Sequence, residues 1–283
     1  MPDKNTPPGQ TTSRTRLGAE ARVREAAGAG TFYPRKAEWL QGQVRTCLAE
    51  AGTDAQKGPK AIIGPHAGYV FSGPIAGSAY APLVDADATI RRVVLIGPSH
   101  YVSFPGIATP SADAFATPLG TVHLRRDVLD QLEATFPQVT ERDDAHEQEH
   151  GLEVHLPFLQ SVLEECELIP LVTGKVSGAE VAEVLDHLWG GAETLIAVSS
   201  DLSHYYDYAS ARERDQRTSE AILALDPEAV EEEGACGRVA IQGLLHCAKA
   251  RGLRPALLDL RNSGDTAGNR DRVVGYGAYA FYA

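Results

Sequence analysis

Arg92-Val-Val-Leu-Ile-Gly-Pro-Ser-His100 sets the pattern from which the fold is read: a β-branched apolar run, then Gly-Pro, then a histidine. Ala61-Ile-Ile-Gly-Pro-His66 has the same grammar, and Thr194-Leu-Ile-Ala-Val-Ser-Ser-Asp-Leu-Ser-His204 ends alike without the Gly-Pro. Short apolar runs bounded by turn residues fit strands buried on both faces of a parallel sheet. All three histidines then lie just past a strand's C-terminal end, where open α/β sheets gather their ligands. Three convergent imidazoles imply a metal or proton-transfer site.

Working outward, strands are expected at about 60–64, 92–97, 167–172 and 194–199, and helices at about 73–83, 126–135, 147–165, 178–189 and 238–250. Two more helices are expected between 210 and 232, and terminal strands near 255–260 and 273–282, with an antiparallel direction the alternative for the last two. A Pro/Gly-rich excursion runs through Thr121-Val-His-Leu124. Alternating strands and helices predict an α/β fold, one domain with a central, mostly parallel or mixed sheet flanked by helices. Trp39, Leu40, Val44, Cys47 and Leu48 mark a helix face, which makes Cys47 a packed thiol. Residues 1–25 lack apolar periodicity and read as a disordered tail ahead of a domain over 26–283.

The chain has 283 residues, 43 % of them hydrophobic, enough for a full-sized core. A formal charge of −12 disfavours a nucleic-acid partner. Neither a membrane-spanning stretch nor a signal peptide is evident, so the cytoplasm is the expected location. Four cysteines with no CxxC pair, in a chain this long, are expected as reduced thiols.

Beyond His66 and His100, three segments carry candidate chemistry. Asp201 lies three residues before His204, near enough in a turn to tune it for acid/base work; alternatively Asp201 and Ser203 cap the next helix. In Gly234-Ala-Cys-Gly-Arg-Val-Ala-Ile241, Cys236 precedes a helix whose N-terminus stabilises a thiolate, a good ligand for iron, copper or zinc; it also reads as a small buried hydrophobe. His246 and Cys247, inside that helix, read as surface and core. His146-Glu-Gln-Glu-His150 matches the inverted zinc-protease motif, but that reading leaves the strand-end histidines unexplained. A helix laying His150 and Glu153 over the crevice fits better. Arg261-Asn-Ser-Gly-Asp265 is a substrate-facing loop or a turn. P-loop, GxGxxG and GxSxG patterns are absent.

Gly30-Thr-Phe-Tyr-Pro34, Gly64-Pro-His-Ala-Gly-Tyr69, Gly97-Pro-Ser-His100, Glu149-His150 with Glu153 and Leu156-Pro-Phe158, Ser199-Ser-Asp-Leu-Ser-His204 and Ala235-Cys-Gly237 together resemble the Memo family, whose prokaryotic members are called AmmeMemoRadiSam system protein B. The resemblance runs in order from about residue 27 to the C-terminus. It implies a fold similar to class III extradiol ring-cleavage dioxygenases and a non-haem metal held by His66, His100 and Cys236. His204 is then the histidine near the metal, supported by Asp201, with His150, Glu153, Tyr69 and Ser99 facing substrate. Iron(II) is the first expectation, copper(I) or zinc the alternatives, since cysteine stands where the dioxygenases have a carboxylate. The resemblance implies a dioxygenase-like oxidoreductase. It equally allows a non-catalytic binding protein, with an AMMECR1-domain protein, a radical-SAM protein or a peptide as partner, or a metal-sequestering protein. Gly151 departs from the serine more usual in the family and suggests a helix start or a tight contact.

Overall fold

The three apolar runs form adjacent parallel strands at the centre of a mixed sheet. The computed structural model describes residues 21–52, 58–84 and 89–283. In chain order the elements are β1 (Val23–Arg24), α1 (Ala37–Glu50), β2 (Ala61–Gly64), α2 (Tyr69–Tyr80), β3 (Arg92–Pro98), β4 (Ile107–Thr109), β5 (Ala114–Thr117) and β6 (Gly120–His123). There follow α3 (Arg126–Thr135), β7 (Val139–Glu141), α4 (Asp144–Glu147), α5 (His150–Glu153), α6 (Leu156–Val162), β8 (Glu167–Thr173) and α7 (Gly178–His187). The chain ends with β9 (Thr194–Ser199), β10 (His204–Tyr206), α8 (Tyr208–Leu223), α9 (Arg238–Ala250), β11 (Arg254–Asn262) and β12 (Val273–Tyr282).

The described residues build a nine-stranded sheet in the order β10-β12-β2-β9-β3-β8-β4-β7, with β11 also paired to β12. Its centre, β2-β9-β3-β8, is parallel, and Val93–Ile96, Leu195 and Ile196 are wholly buried there. This is the burial on both faces that continuous apolar runs require. The final strands β11 and β12 are antiparallel, and β4 runs antiparallel to β8. The fold is a single α/β domain with mixed sheets flanked by helices. No helix among the described residues is long and apolar enough to cross a membrane.

Several expectations fail locally, each for a physical reason. Of the tail expected through residue 25, residues 1–20 lie outside the described residues. Val23–Arg24, however, is a strand on β5 in a small sheet completed by β6, anchored by the Arg24 side chain rather than by apolar periodicity. The helix expected over 147–165 is interrupted twice: Glu149 is extended and caps α5 by accepting from Gly151 N at 2.8 Å, which parts α5 from α4, and α6 starts afresh at Leu156 with Pro157 in its first turn. Only α8 and a 3₁₀ turn at Pro227–Ala229 occupy 210–232. Trp39 is 65 % exposed beneath Lys36 rather than packed: the buried stripe of α1 is Leu40, Val44 and Cys47. Cys247 is buried as expected, and His246 is half-buried rather than superficial. Asn262 caps the turn Ser263–Asp265, which favours the turn reading of that segment. All four cysteines are free.

Candidate metal centre

Because β2, β9 and β3 lie side by side in one direction, the segments leaving their C-terminal ends converge. His66 follows β2, Ser199–His204 follows β9, and His100 follows β3. Cys236 is delivered from behind by the start of α9. There Gly237 lets the chain press on β9: a Cβ at 237 would stand 2.6 Å from the Ser199 carbonyl and 2.7 Å from Ser200 Cβ. The ligand-type atoms of His66, His100 and Cys236 all lie within 4.8 Å of one another.

Hydrogen bonds fix the histidine tautomers. Ser199 Oγ donates to the Gly151 carbonyl at 2.6 Å, so it accepts from His66 Nδ1, also at 2.6 Å. His66 Nε2 is left with its lone pair, 3.3 Å from Cys236 Sγ. His100 Nδ1 donates to Glu149 Oε1 at 2.8 Å, which leaves its Nε2 lone pair free as well. Neutral imidazoles with Nδ1 anchored and Nε2 open are what divalent and soft monovalent metals bind. Burial, reinforced by the neighbouring histidines, pushes the His66 pKa well below its ordinary value, so that ring stays neutral. Burial alone would lower the His100 pKa, but the hydrogen bond and charge of Glu149 more than offset it and raise it.

Glu149 also accepts from His100 N at 2.7 Å and from Gly151 N at 2.8 Å. Burial would raise its pKa; His100 and these amides bring it below the ordinary carboxylate value. Gly151 proves to be both a helix start and a tight contact, since a Cβ there would lie 3.0 Å from Glu149 Oε1 and within 3.5 Å of both imidazoles. Burial, and then Asp201, raise the half-buried Cys236 thiol's pKa, so with no cation beside it the sulfur keeps its proton. Two imidazoles, each held through Nδ1, and one thiol fit a soft or borderline metal once His100 and Cys236 give up their protons to it.

Asp201 does not orient His204, contrary to the sequence expectation. Its Oδ1 accepts from His66 N at 2.7 Å and Ala67 N at 3.3 Å, so it clamps the loop that carries His66. Burial raises its pKa, and His204 and the amide donors partly counter this. His204 Nδ1 donates instead to the Leu202 carbonyl at 2.8 Å. His204 and Cys236 line a common cavity with Leu202, Tyr206, Glu232 and Glu233. The next residue, Tyr205, has a φ of 65° at a β-bulge, a conformation that costs a non-glycine residue energy and is frequent at functional sites.

Behind this loop, Ser203 N donates to the buried carboxylate of Asp215 at 2.9 Å. Burial raises the Asp215 pKa from 3.8 to about 6. A raised acid pKa stabilises the fold below pH 3.8, and that contribution is lost as pH rises through about 6. Urea titrations at pH 4 and pH 7 should therefore show Asp215→Asn gaining on wild type by about 2–3 kcal/mol between the two pH values. A parallel pH dependence for the two proteins would refute the assignment.

His150 stacks on Phe32 with 4.0 Å between ring centroids, lies 4.6 Å from the His100 ring, and has Nδ1 3.3 Å from Tyr101 Oη. Burial, and secondarily His100, lower its pKa to about 4. The protease reading fails geometrically. His146 is on a different helix, buried, with Nε2 on the Ala108 carbonyl at 3.0 Å. Ser99 is half-buried and donates to the Val102 carbonyl at 2.7 Å on the wall of a cleft that also includes His100 and Cys236. Two expected substrate contacts are not available as such. Tyr69 is buried and donates to the Val154 carbonyl at 2.6 Å. Glu153 is fully buried, its carboxylate taken up by the Arg24 guanidinium, the Tyr33 hydroxyl, Ala27 N and Gly28 N.

Ser199, Glu149 and Phe32 entered the sequence reading only inside longer motifs, with no role of their own, and Arg24 did not enter it. Glu149 carried a signal, sitting against His150 in the motif dismissed as a protease. Ser199 ends the β9 run two residues before Asp201, but nothing in the sequence says that its hydroxyl meets His66. Arg24, in a segment without periodicity, carried none.

The sequence matches the profile described as Memo-like protein over residues 24–280. A MEMO1 family protein of Ignicoccus hospitalis is 34 % identical over 284 residues, covering 92 % of this chain and 98 % of that one. Another, from Caldivirga maquilingensis, is 32 % identical over 286 residues, covering 92 % and 99 %. A solved structure of an uncharacterized Escherichia coli protein is a distant likeness, with a TM-score of 0.44 at 14 % identity over 76 % of this chain and 98 % of that chain. The match extends from the strand that carries Arg24 to Ala280 in β12 and includes every residue of the candidate metal centre just described; the chain belongs to the Memo-like protein family.

Proposed function

We propose that this protein is a metal-dependent oxidoreductase of the extradiol-dioxygenase type, with iron(II) held by His66, His100 and Cys236. The observation that carries the reading is the convergence of a ring nitrogen from each of His66 and His100 with the Cys236 sulfur, all within 4.8 Å of one another. Bound there, a redox-active metal supplies Lewis acidity and electrons for oxygen chemistry. The chain supplies the rest. Ser199 and Glu149 hold the two imidazoles in the metal-binding tautomer. Asp201 locks the His66 loop. His204, with Nδ1 tied to a carbonyl, keeps Nε2 for moving a proton at the cavity it shares with Cys236. The uncharged His150 ring, packed on Phe32, presents an apolar and weakly basic wall. A reducing, cytoplasmic setting suits the open thiol.

Elemental analysis of anaerobically purified protein, wild type beside Cys236→Ser, followed by oxygen uptake after iron(II) or copper(I) loading, tests this. Stoichiometric metal in wild type with metal-dependent oxygen consumption is expected. Protein free of metal under reducing conditions sinks the reading. Glu149→Gln should weaken metal binding by about 10- to 100-fold, because the carboxylate fixes His100 and raises its basicity. Titration with cobalt(II) checks this, and an unchanged Kd refutes the role.

A second reading rests on Cys236 itself. A thiolate is softer than a carboxylate and suits copper(I), so the same three residues could sequester metal without turnover. Tight copper(I) binding with negligible oxygen uptake is its signature. In either case the AMMECR1-domain and radical-SAM proteins stand as proposed partners, and co-purification tests them.

A further inference from the structure

The centre opens on one side into a cleft of ≈ 380 Å³, within the range of small-molecule sites. The cleft sits past the C-terminal ends of β3 and β8, and its walls include both His100 and Cys236. Its chemistry departs from that of the chain as a whole. The protein carries 38 acidic against 26 basic residues, yet no carboxylate lines this cleft. One full cation does, Lys175, directly after the Gly174 that follows β8. Among the described residues Lys175 is exposed and makes no side-chain ion pair or hydrogen bond. The remaining lining is apolar or hydroxylic: Phe104, Val102 and Val239 with Tyr101, Ser103 and Thr173. The walls therefore favour an apolar body with a negative charge at one end.

We infer that this cleft takes a small anionic molecule, its charged group on Lys175 and its apolar body across Tyr101 and Val239 toward His100 and Cys236. The inference deepens the metal-centre reading, which supplies the reason for a ligand to reach that end of the cleft. The preference for an anion, however, belongs to Lys175 and not to the metal. It is measurable on metal-free protein.

Benzoate, phenyl phosphate and uncharged benzyl alcohol, titrated against full-length metal-free protein by ligand-observed NMR, test it. At low salt, benzoate or phenyl phosphate should bind at least about fivefold more tightly than benzyl alcohol, and the preference should fall as salt screens it. Whichever of the two anions binds better tells a carboxylate from a phosphate ligand. Lys175→Gln should bring the anions to within about twofold of benzyl alcohol, and Lys175→Glu should reverse the order, with benzyl alcohol itself unaffected. Equal affinities in wild type, or an anion preference that survives Lys175→Glu, overturn the inference. His66→Ala separates the two proposals: loss of metal with the anion preference intact supports both. An anion preference in a protein that never binds metal sinks the metal centre and leaves the cleft assignment standing.

Discussion

Alanine at His66 or at His100 will strip the anaerobically purified protein of iron or copper, the largest functional effect expected of any single substitution. On the proposed assignment each ring contributes one of three donors, and a neighbouring uncharged imidazole, His150, lies 4.6 Å from the His100 ring but is held by its stack on Phe32. His155, the next buried imidazole beneath His66, is tied to Tyr80 Oη at 2.9 Å through Nδ1. Loss of a donor should exceed the roughly 10- to 100-fold cost of losing an outer hydrogen-bond partner such as Glu149. Cys236→Ser preserves size but replaces a soft ligand by a poor one, so copper(I) retention should suffer more than zinc retention. Metal at wild-type stoichiometry in both histidine variants would remove the assignment altogether. The comparison is interpretable because His66 is neutral in the fold: its removal leaves a cavity and an idle Ser199 hydroxyl, with no uncompensated charge.

What the sequence revealed and what it hid divide along a physical line. Strand-end histidines were legible because a buried parallel strand must be apolar throughout, and its first polar residue marks the crevice. Residues 61–64, 92–98 and 194–199 obey that rule. Cys236 needed the family resemblance, since a lone cysteine before a helix has no periodicity to betray it. The short strands β4, β5 and β7 and the two-residue β1 escaped because none is long enough to show alternation. The broken helix at 148–149 escaped for another reason. Its apolar pattern continues smoothly from Leu152 to Leu159, while the break is imposed by Glu149 turning aside to grip His100. Asp201 was paired with His204 from sequence but hydrogen-bonds the amides of His66 and Ala67, because the proximity of residues 201 and 204 in sequence says nothing about which backbone amides face a carboxylate after the chain has folded.

Arg24 is the clearest case of a determinant invisible in sequence, and its removal should produce the largest loss of stability. Its guanidinium, 8 % exposed, pairs with the Glu153 carboxylate, which is wholly buried. It also donates to the carbonyls of His146 at 2.7 Å and Glu149 at 2.6 Å, the two ends of the bend that carries Glu149 toward His100. Arg24→Ala would leave a buried carboxylate without its cation and two carbonyls without donors. Breaking a buried pair from one side costs about 3–5 kcal/mol. Ala27 N, Gly28 N and the Tyr33 hydroxyl still hold Glu153, so the lower end, about 3 kcal/mol, is expected in urea denaturation. Lysine should not rescue it, because a single ammonium cannot reach three acceptors in the fork geometry of a guanidinium. Adding Glu153→Gln to Arg24→Ala should recover part of the loss by removing the stranded charge. A single-mutant loss below 1 kcal/mol would show that the pair contributes no more than an exposed one. The same substitution frees the bend around Glu149, so metal affinity should fall with stability. The strap of residues 24–33 thus reaches the metal centre twice: through Arg24 on the carbonyl of Glu149, and through Phe32 on the ring of His150.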